Sequence, residues 1–196
     1  ADGELKLATS SVPKTDRVAL TTFTVLYDML QYLGWDLPVA MRQSAVRPSD
    51  DVLDKSYEIL VNRLNDMLKN CGDIQARLEA ASSARDLRAP KGAEGTGHPF
   101  MRPLVQKAVA RVSREIVHQG LITWTELMDR LSKLDWRLDA APWTAVFNGD
   151  SAKMLTGRDY VDLLRDLLHV HLAPTSKEAI RRARKSYKDV RLTQYP

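Results

Sequence analysis

Cysteine is almost missing from this sequence: Cys71 is the only one, which excludes an internal disulfide and a zinc site built on cysteine pairs. Beside Gly72 at an expected helix end, it reads as a small packed residue rather than a nucleophile. No apolar run approaches the roughly 18 to 20 residues that a membrane span needs, and no basic-then-apolar signal pattern opens the chain. No membrane association and a cytoplasmic location are therefore expected. There is no Gly-rich phosphate loop after a strand, no GxSxG elbow and no pair of carboxylates set apart from solvated helix faces. An acid, a base and a nucleophile cannot be nominated together. The sequence reads as non-enzymatic, with no catalytic residue, no metal and no cofactor.

Strand signal is also scarce. Asn148 and Gly149 form a favoured turn pair inside VFNGDSAKML, enough for one short hairpin and little more. Glycine and proline are thinly spread except in one place: Pro90, Gly92, Gly95, Gly97 and Pro99 fall within ten residues, so residues 82–98 read as a flexible surface loop. Its Arg85, Arg88 and Lys91 would let it order against a phosphate backbone, although a merely solvated loop is the preferred reading.

What remains is helical. Hydrophobic residues make 44% and charged residues 28% of the 196, a balance that supports a packed core and excludes general disorder. That length fits a single domain spanning 1–196. The net charge of +4 and a pI near 9.2 permit an anionic partner without requiring one. The fold class is mainly α, an irregular bundle of about seven helices.

The clearest helix runs from Pro103 to the stop at Gly120. Proline suits the first turn, where its missing N–H has no partner anyway, and glycine suits the left-handed residue past the end. Leu104, Val105, Ala108, Val109, Val112 and Ile116 recur so that, at about 100° per residue, they share one stripe. Next, Thr123 to Glu126 (TWTE) fits a capping box opening a short helix through Leu127, Leu131 and Leu134. Thr156 is expected to cap a helix whose Tyr160, Leu163, Leu164, Leu167, Leu168 and His171 face inward, with Pro174 beyond its end. A second capping box, TSKE from Thr175, opens the last helix on Ile180, Ala183, Tyr187 and Val190.

Upstream, residues 1–17 form an extended or flexible lead-in. A helix capped at Thr21 or Thr22 then buries Val25, Leu26, Met29, Leu30 and Leu33 and stops at Gly34. A long helix begins at Ser49, with Asp50 and Asp51 at the positive end of its dipole. Val52, Leu53, Ile59, Leu60, Leu64, Met67 and Leu68 give it a broad buried stripe. A short helix from Asp73 to about Ala81 turns Ile74 and Leu78 inward.

Two helices carry cations in the same rhythm. Lys107, Arg111, Arg114 and His118 occupy i, i+4, i+7 and i+11 on one, and Lys177, Arg181, Arg184 and Lys188 repeat the spacing on the last. Such a row can neutralise successive phosphates and release their counterions. Lys107, Arg111, Arg114, Arg181, Arg184 and Lys188 are therefore the candidate DNA contacts, although basic rows also serve solubility. A helix-turn-helix reading of 102–136 is disfavoured by the acidic start of its second helix, at Glu126 and Asp129. His169 and His171, two residues apart, point to different sides of a helix, His171 to the apolar stripe and His169 to the polar side, which argues against a shared metal. His98 before Pro99 reads as fixing local structure. Trp124, Trp136 and Trp143 read as core anchors, though an exposed pair could stack bases or fill a partner's pocket.

HPFMRPLVQKAVARV, LSKLDWRLDAAPW and GRDYVDLLRDLL resemble the carboxy-terminal half of DGQHR-domain proteins, particularly the DndB type of DNA phosphorothioation gene clusters. SVPKTDRVALTTFTVLYDML resembles their middle segment. The likeness covers most of the chain in order, on soft motifs: an HPFxRP turn, a DW before a second Trp, and helical Leu patterns. Asp-Gly-Gln-His-Arg itself is absent, so the resemblance implies the helical carboxy-terminal part of a longer protein. It also implies a DNA-binding regulator of phosphorothioation modification genes in bacterial defence, with DNA as partner, other modification or defence proteins beside it, and no catalytic residue carried over. The alternative is a helical module for protein–protein interaction or homo-oligomer formation that makes no direct DNA contact.

Overall fold

Helices form where apolar residues recur at helical spacing. The structure, a computed structural model, describes residues 5–6, 19–37, 47–88, 97–147, 154–155, 157–173 and 177–191, with side chains described except at 5–6 and 188–191. The fold is mainly α. Among the described residues there are eight α-helices: α1 (Phe23–Leu33), α2 (Asp50–Asn70), α3 (Ile74–Ala80), α4 (Ala84–Arg88), α5 (Pro103–His118), α6 (Trp124–Lys133), α7 (Arg158–Leu172) and α8 (Lys177–Arg191). Two 3-10 turns, Pro99–Met101 and Trp143–Ala145, bracket the α5–α6 pair.

The local chemistry explains the helix ends. Thr22 caps α1, its hydroxyl accepting from the Val25 amide at 3.3 Å. Pro103 opens α5 and Gly120 follows it at φ +66°, the left-handed region that glycine enters without penalty. At α6 both halves of the capping box close: the Glu126 amide donates to the Thr123 hydroxyl at 3.2 Å, and the Thr123 amide donates to the Glu126 carboxylate at 2.8 Å. Ser49 and Asp50 mark the start of α2, but the Ser49 hydroxyl makes no capping bond. Thr156 and Thr175 lie outside the described residues, and Gly157 stands at the α7 start.

α5 is the hub, packed against α1, α6 and α7, while α2 lies on α1, α3 and α6. Its Val105, Ala108, Val109, Val112 and Ile116 are buried as the stripe predicts, and Leu104 is half-buried at the edge. Gln106, buried on the same helix, takes a hydrogen bond from the Thr21 hydroxyl at 2.6 Å, tying α5 to the short strand β2. That strand, Thr21–Thr22, pairs in parallel with β1, Leu5–Lys6. β1 falls inside the lead-in expected to be extended or flexible, and its pairing was not foreseeable because two residues carry no periodic signal.

Trp136 and Trp143 are buried core anchors, with rings 5.0 Å apart. Their indole N–H groups donate to the carbonyls of Leu131 at 3.0 Å and Asp135 at 2.6 Å, the pairing that a buried indole requires. Trp124 differs from the expectation. It is half-buried, its N–H donates to Asp66 at 2.8 Å, its ring lies 6.3 Å from that of Trp35, and the Arg63 guanidinium sits 4.3 Å from the Trp35 ring and 5.8 Å from the Trp124 ring. Ile59, assigned to the buried stripe of α2, is exposed, because α1, α3 and α6 cover only part of that long helix.

The segment 82–98 is not all loop. Ala84–Arg88 form α4, and Arg88 is 2% exposed with its guanidinium donating to the Ala19 carbonyl. A buried, engaged guanidinium is withdrawn from any phosphate; Arg85 is half-buried and Lys91 lies outside the described residues. The Asn148–Gly149 turn also lies outside them, but Phe147 and Met154 form an antiparallel bridge on either side of it.

Candidate nucleic-acid interface

The two cation rows meet different fates. On α5 the row lies along the seams with α1 and α7, where carboxylates are waiting. Lys107 Nζ is 3.2 Å from Asp28 of α1, and Arg111 Nε is 2.8 Å from Glu115 one turn on. Glu115 in turn lies 2.8 Å from the ring Nε2 of His169 on α7. Burial alone would raise the Glu115 carboxyl; the hydrogen bonds from His169 and Arg111 outweigh it and hold the pKa at about 2. Arg114 is half-buried and makes no ion pair among the described residues. The α5 row is therefore an alternation of charges rather than a line of cations.

His169 and His171 have exchanged their expected places. His169 is 4% exposed and engaged with Glu115, whereas His171 is exposed. The reason is that α7 is covered on two sides, by α5 and by α8. Its buried set is Leu163, Leu164, Asp166, Leu168, His169 and Leu172, so a single apolar stripe is the wrong template. Asp166 is kept soluble in the core by Arg165 at 3.0 Å and by the Ser186 hydroxyl of α8 at 2.6 Å.

α8 is different in kind. Among its described side chains Ala179 and Ala183 are buried, Ile180 and Tyr187 are half-buried, and Arg181, Arg182, Arg184 and Lys185 are all exposed. Arg181 pairs with Glu178 at 2.9 Å, but the side chains are 79% and 60% exposed, and such surface pairs contribute about 0 to 1 kcal/mol and are screened by salt. The side chain of Lys188 lies outside those described. Over its 15 residues α8 carries seven Lys or Arg against two Asp or Glu, a net +5. The other 181 residues hold 22 against 23, so the entire cationic excess of the chain sits on this one helix.

Of the candidates in the i, i+4, i+7 rows, Lys107, Arg111 and Arg181 stand in carboxylate pairs among the described residues. The rhythm also passes over Arg182 and Lys185, which a simple charge count along the last helix would have found. Trp136 and Trp143 are buried and present no stacking platform. His98 does fix local structure: its Nδ1 accepts from the Phe100 amide at 3.2 Å, and burial, aided by Arg77, lowers its pKa to about 4. Among the described residues no helix is long and apolar enough to cross a membrane.

Neither family models, nor curated proteins, nor solved structures give a match to this chain.

Proposed function

We propose that the chain binds nucleic acid through the phosphate backbone, using α8, as the helical carboxy-terminal part of a DndB-like DNA-binding regulator of phosphorothioation genes. The observation that carries the binding reading is the net +5 on α8, with Arg181, Arg182, Arg184 and Lys185 exposed. An exposed helix about 22 Å long can meet several phosphates, since duplex DNA carries one charge per about 1.7 Å of axis. Each phosphate neutralised releases counterions, a sequence-independent gain. The regulatory role rests on the HPFMRP and LDWRLDAAPW resemblance. Lys107 and Arg111 drop out of the contact set because Asp28 and Glu115 already neutralise them.

The test is a titration of labelled duplex DNA with the wild type and with an Arg181→Glu, Arg182→Glu, Lys185→Glu variant at fixed salt. The variant is expected to bind at least tenfold more weakly with an unchanged circular dichroism spectrum. Equal affinity would remove α8 from the interface.

A second reading, association with another protein or a second copy, is favoured by one feature. Phe23 and Tyr27 are 51% and 44% exposed and stack with centroids 6.5 Å apart on the outside of α1. Light scattering of the wild type against Phe23→Ser, Tyr27→Ser decides it: a dimer lost in the variant supports association, and a monomer in both ends the self-association form.

A further inference from the structure

Between α1 and the carboxy-terminal half of α5 lies a groove of about 480 Å³, lined by Tyr32, Arg111, Arg114, Glu115, His118 and Gln119. It is shallow and open to solvent, with room for a small anion rather than for an enclosed ligand. The composition of its lining is what sets it apart from an ordinary surface crease. Glu115, the one carboxylate, is already committed twice, to Arg111 Nε at 2.8 Å and to His169 Nε2 at 2.8 Å. Because Arg111 is gripped through Nε, its two terminal nitrogens stay available. Among the described residues the side chains of Tyr32, Arg114, His118 and Gln119 make no hydrogen bond. The residues bordering the groove therefore carry donors that are not spent on one another.

We propose that this groove binds the terminal phosphate of a phosphate monoester or free inorganic phosphate, with Arg111 and Arg114 as the charged donors and Tyr32 and Gln119 as neutral ones. A guanidinium fork matches two oxygens of a tetrahedral oxyanion, and two forks suit the dianion of a monoester. With Glu115 set against Arg111 the groove keeps the one positive charge of Arg114, which still exceeds the roughly half negative charge at the α5 carboxy-terminal end. The committed Glu115 acts as a positioning residue, fixing how Arg111 enters the groove. The site is separate from the α8 surface and does not rest on it.

Calorimetric titration of the full chain with inorganic phosphate, a nucleoside 5′-monophosphate, and single-stranded oligonucleotides with a 5′-phosphate or a 5′-hydroxyl tests the proposal. Saturable phosphate binding is expected, weakened at least fivefold in Arg114→Gln and unchanged in the α8 triple-glutamate variant. An Arg114→Lys variant is expected to recover part of the loss, as a point charge without the fork. Preference for the 5′-phosphorylated over the 5′-hydroxyl oligonucleotide identifies a nucleic-acid end as the source; inorganic phosphate binding as tightly as either ester identifies the free ion. No saturable binding by any of the phosphates at millimolar concentration, or equal binding by wild type and Arg114→Gln, overturns it.

Discussion

The imidazole of His98 lies flat against the indole of Trp136, with ring centroids 5.4 Å apart and planes 12° from parallel. The stack is sealed on its third side by Gly72. A Cβ there would stand 2.5 Å from His98 Nε2 and 2.8 Å from Trp136 Cγ. His98 thus ties the turn before α5 to the end of α2 and to the tryptophan pair. Its Nδ1 accepts from a backbone amide, so the neutral ring keeps its proton on Nε2.

A buried neutral histidine makes stability depend on pH. The unfolded ring protonates near 6.5 and the folded ring only near 4, so between these values the unfolded state holds the extra proton and stability rises with pH. Stability is full above pH 6.5 and falls by up to roughly 3 kcal/mol on the way to pH 4. Asparagine also caps helices well, so His98→Asn should keep the acceptor and lose the titration. Urea denaturation at steps from pH 4 to 8 should show a slope shallower by up to about 1 kcal/mol per pH unit in the variant. An unchanged slope would mean that His98 does not titrate this way.

Gly72 should tolerate no side chain. It sits at φ +68°, where a Cβ is strained, and the Cβ meets two rings already stacked on each other. Gly72→Ala is expected to lower stability by about 2 kcal/mol or more, read as a drop in Tm. Gly120, equally left-handed but with nothing within 4 Å of its would-be Cβ, serves as the control: its alanine variant should cost about 1 kcal/mol, from backbone strain alone.

The Glu115–His169 link predicts an acid transition at lower pH. A carboxylate held at about 2 against an ordinary 4.5 contributes stability that is present above pH 4.5 and is lost as pH falls toward 2. Glu115→Gln should therefore be less stable at neutral pH by roughly 2 kcal/mol, and its curve should converge with the wild type near pH 2. Parallel curves across that range would contradict the assignment.

Helix ends were legible wherever a residue type satisfies a terminal backbone group by itself: Thr22, the Thr123–Glu126 box, Pro103 and Gly120. Buried stripes were legible where a helix has one covered side, as in α5. α7 departs from a single stripe because it is covered by both α5 and α8, which turns His169 inward and His171 out. α4 is only five residues, three of them charged, and is held by the buried Arg88 donating to the Ala19 carbonyl, a contact 69 positions away. The pairing of Lys107 with Asp28 spans 79 positions. Spacing within a helix says which cations share a side, but only the packing of another helix says whether a carboxylate meets them. The charge of α8 was countable from the start; its exposure was not.

The salt dependence of DNA binding tests the central claim most directly. The logarithm of the association constant for duplex DNA should fall linearly with the logarithm of salt concentration, with a slope of about −0.9 per phosphate neutralised. Neutralising Arg181, Arg182 and Lys185 together with glutamine should flatten that slope by about 2 to 3, while Lys107→Gln should leave it unchanged. A slope identical in the wild type and the α8 variant, or one that flattens only when Lys107 is replaced, would contradict the assignment of the interface to α8.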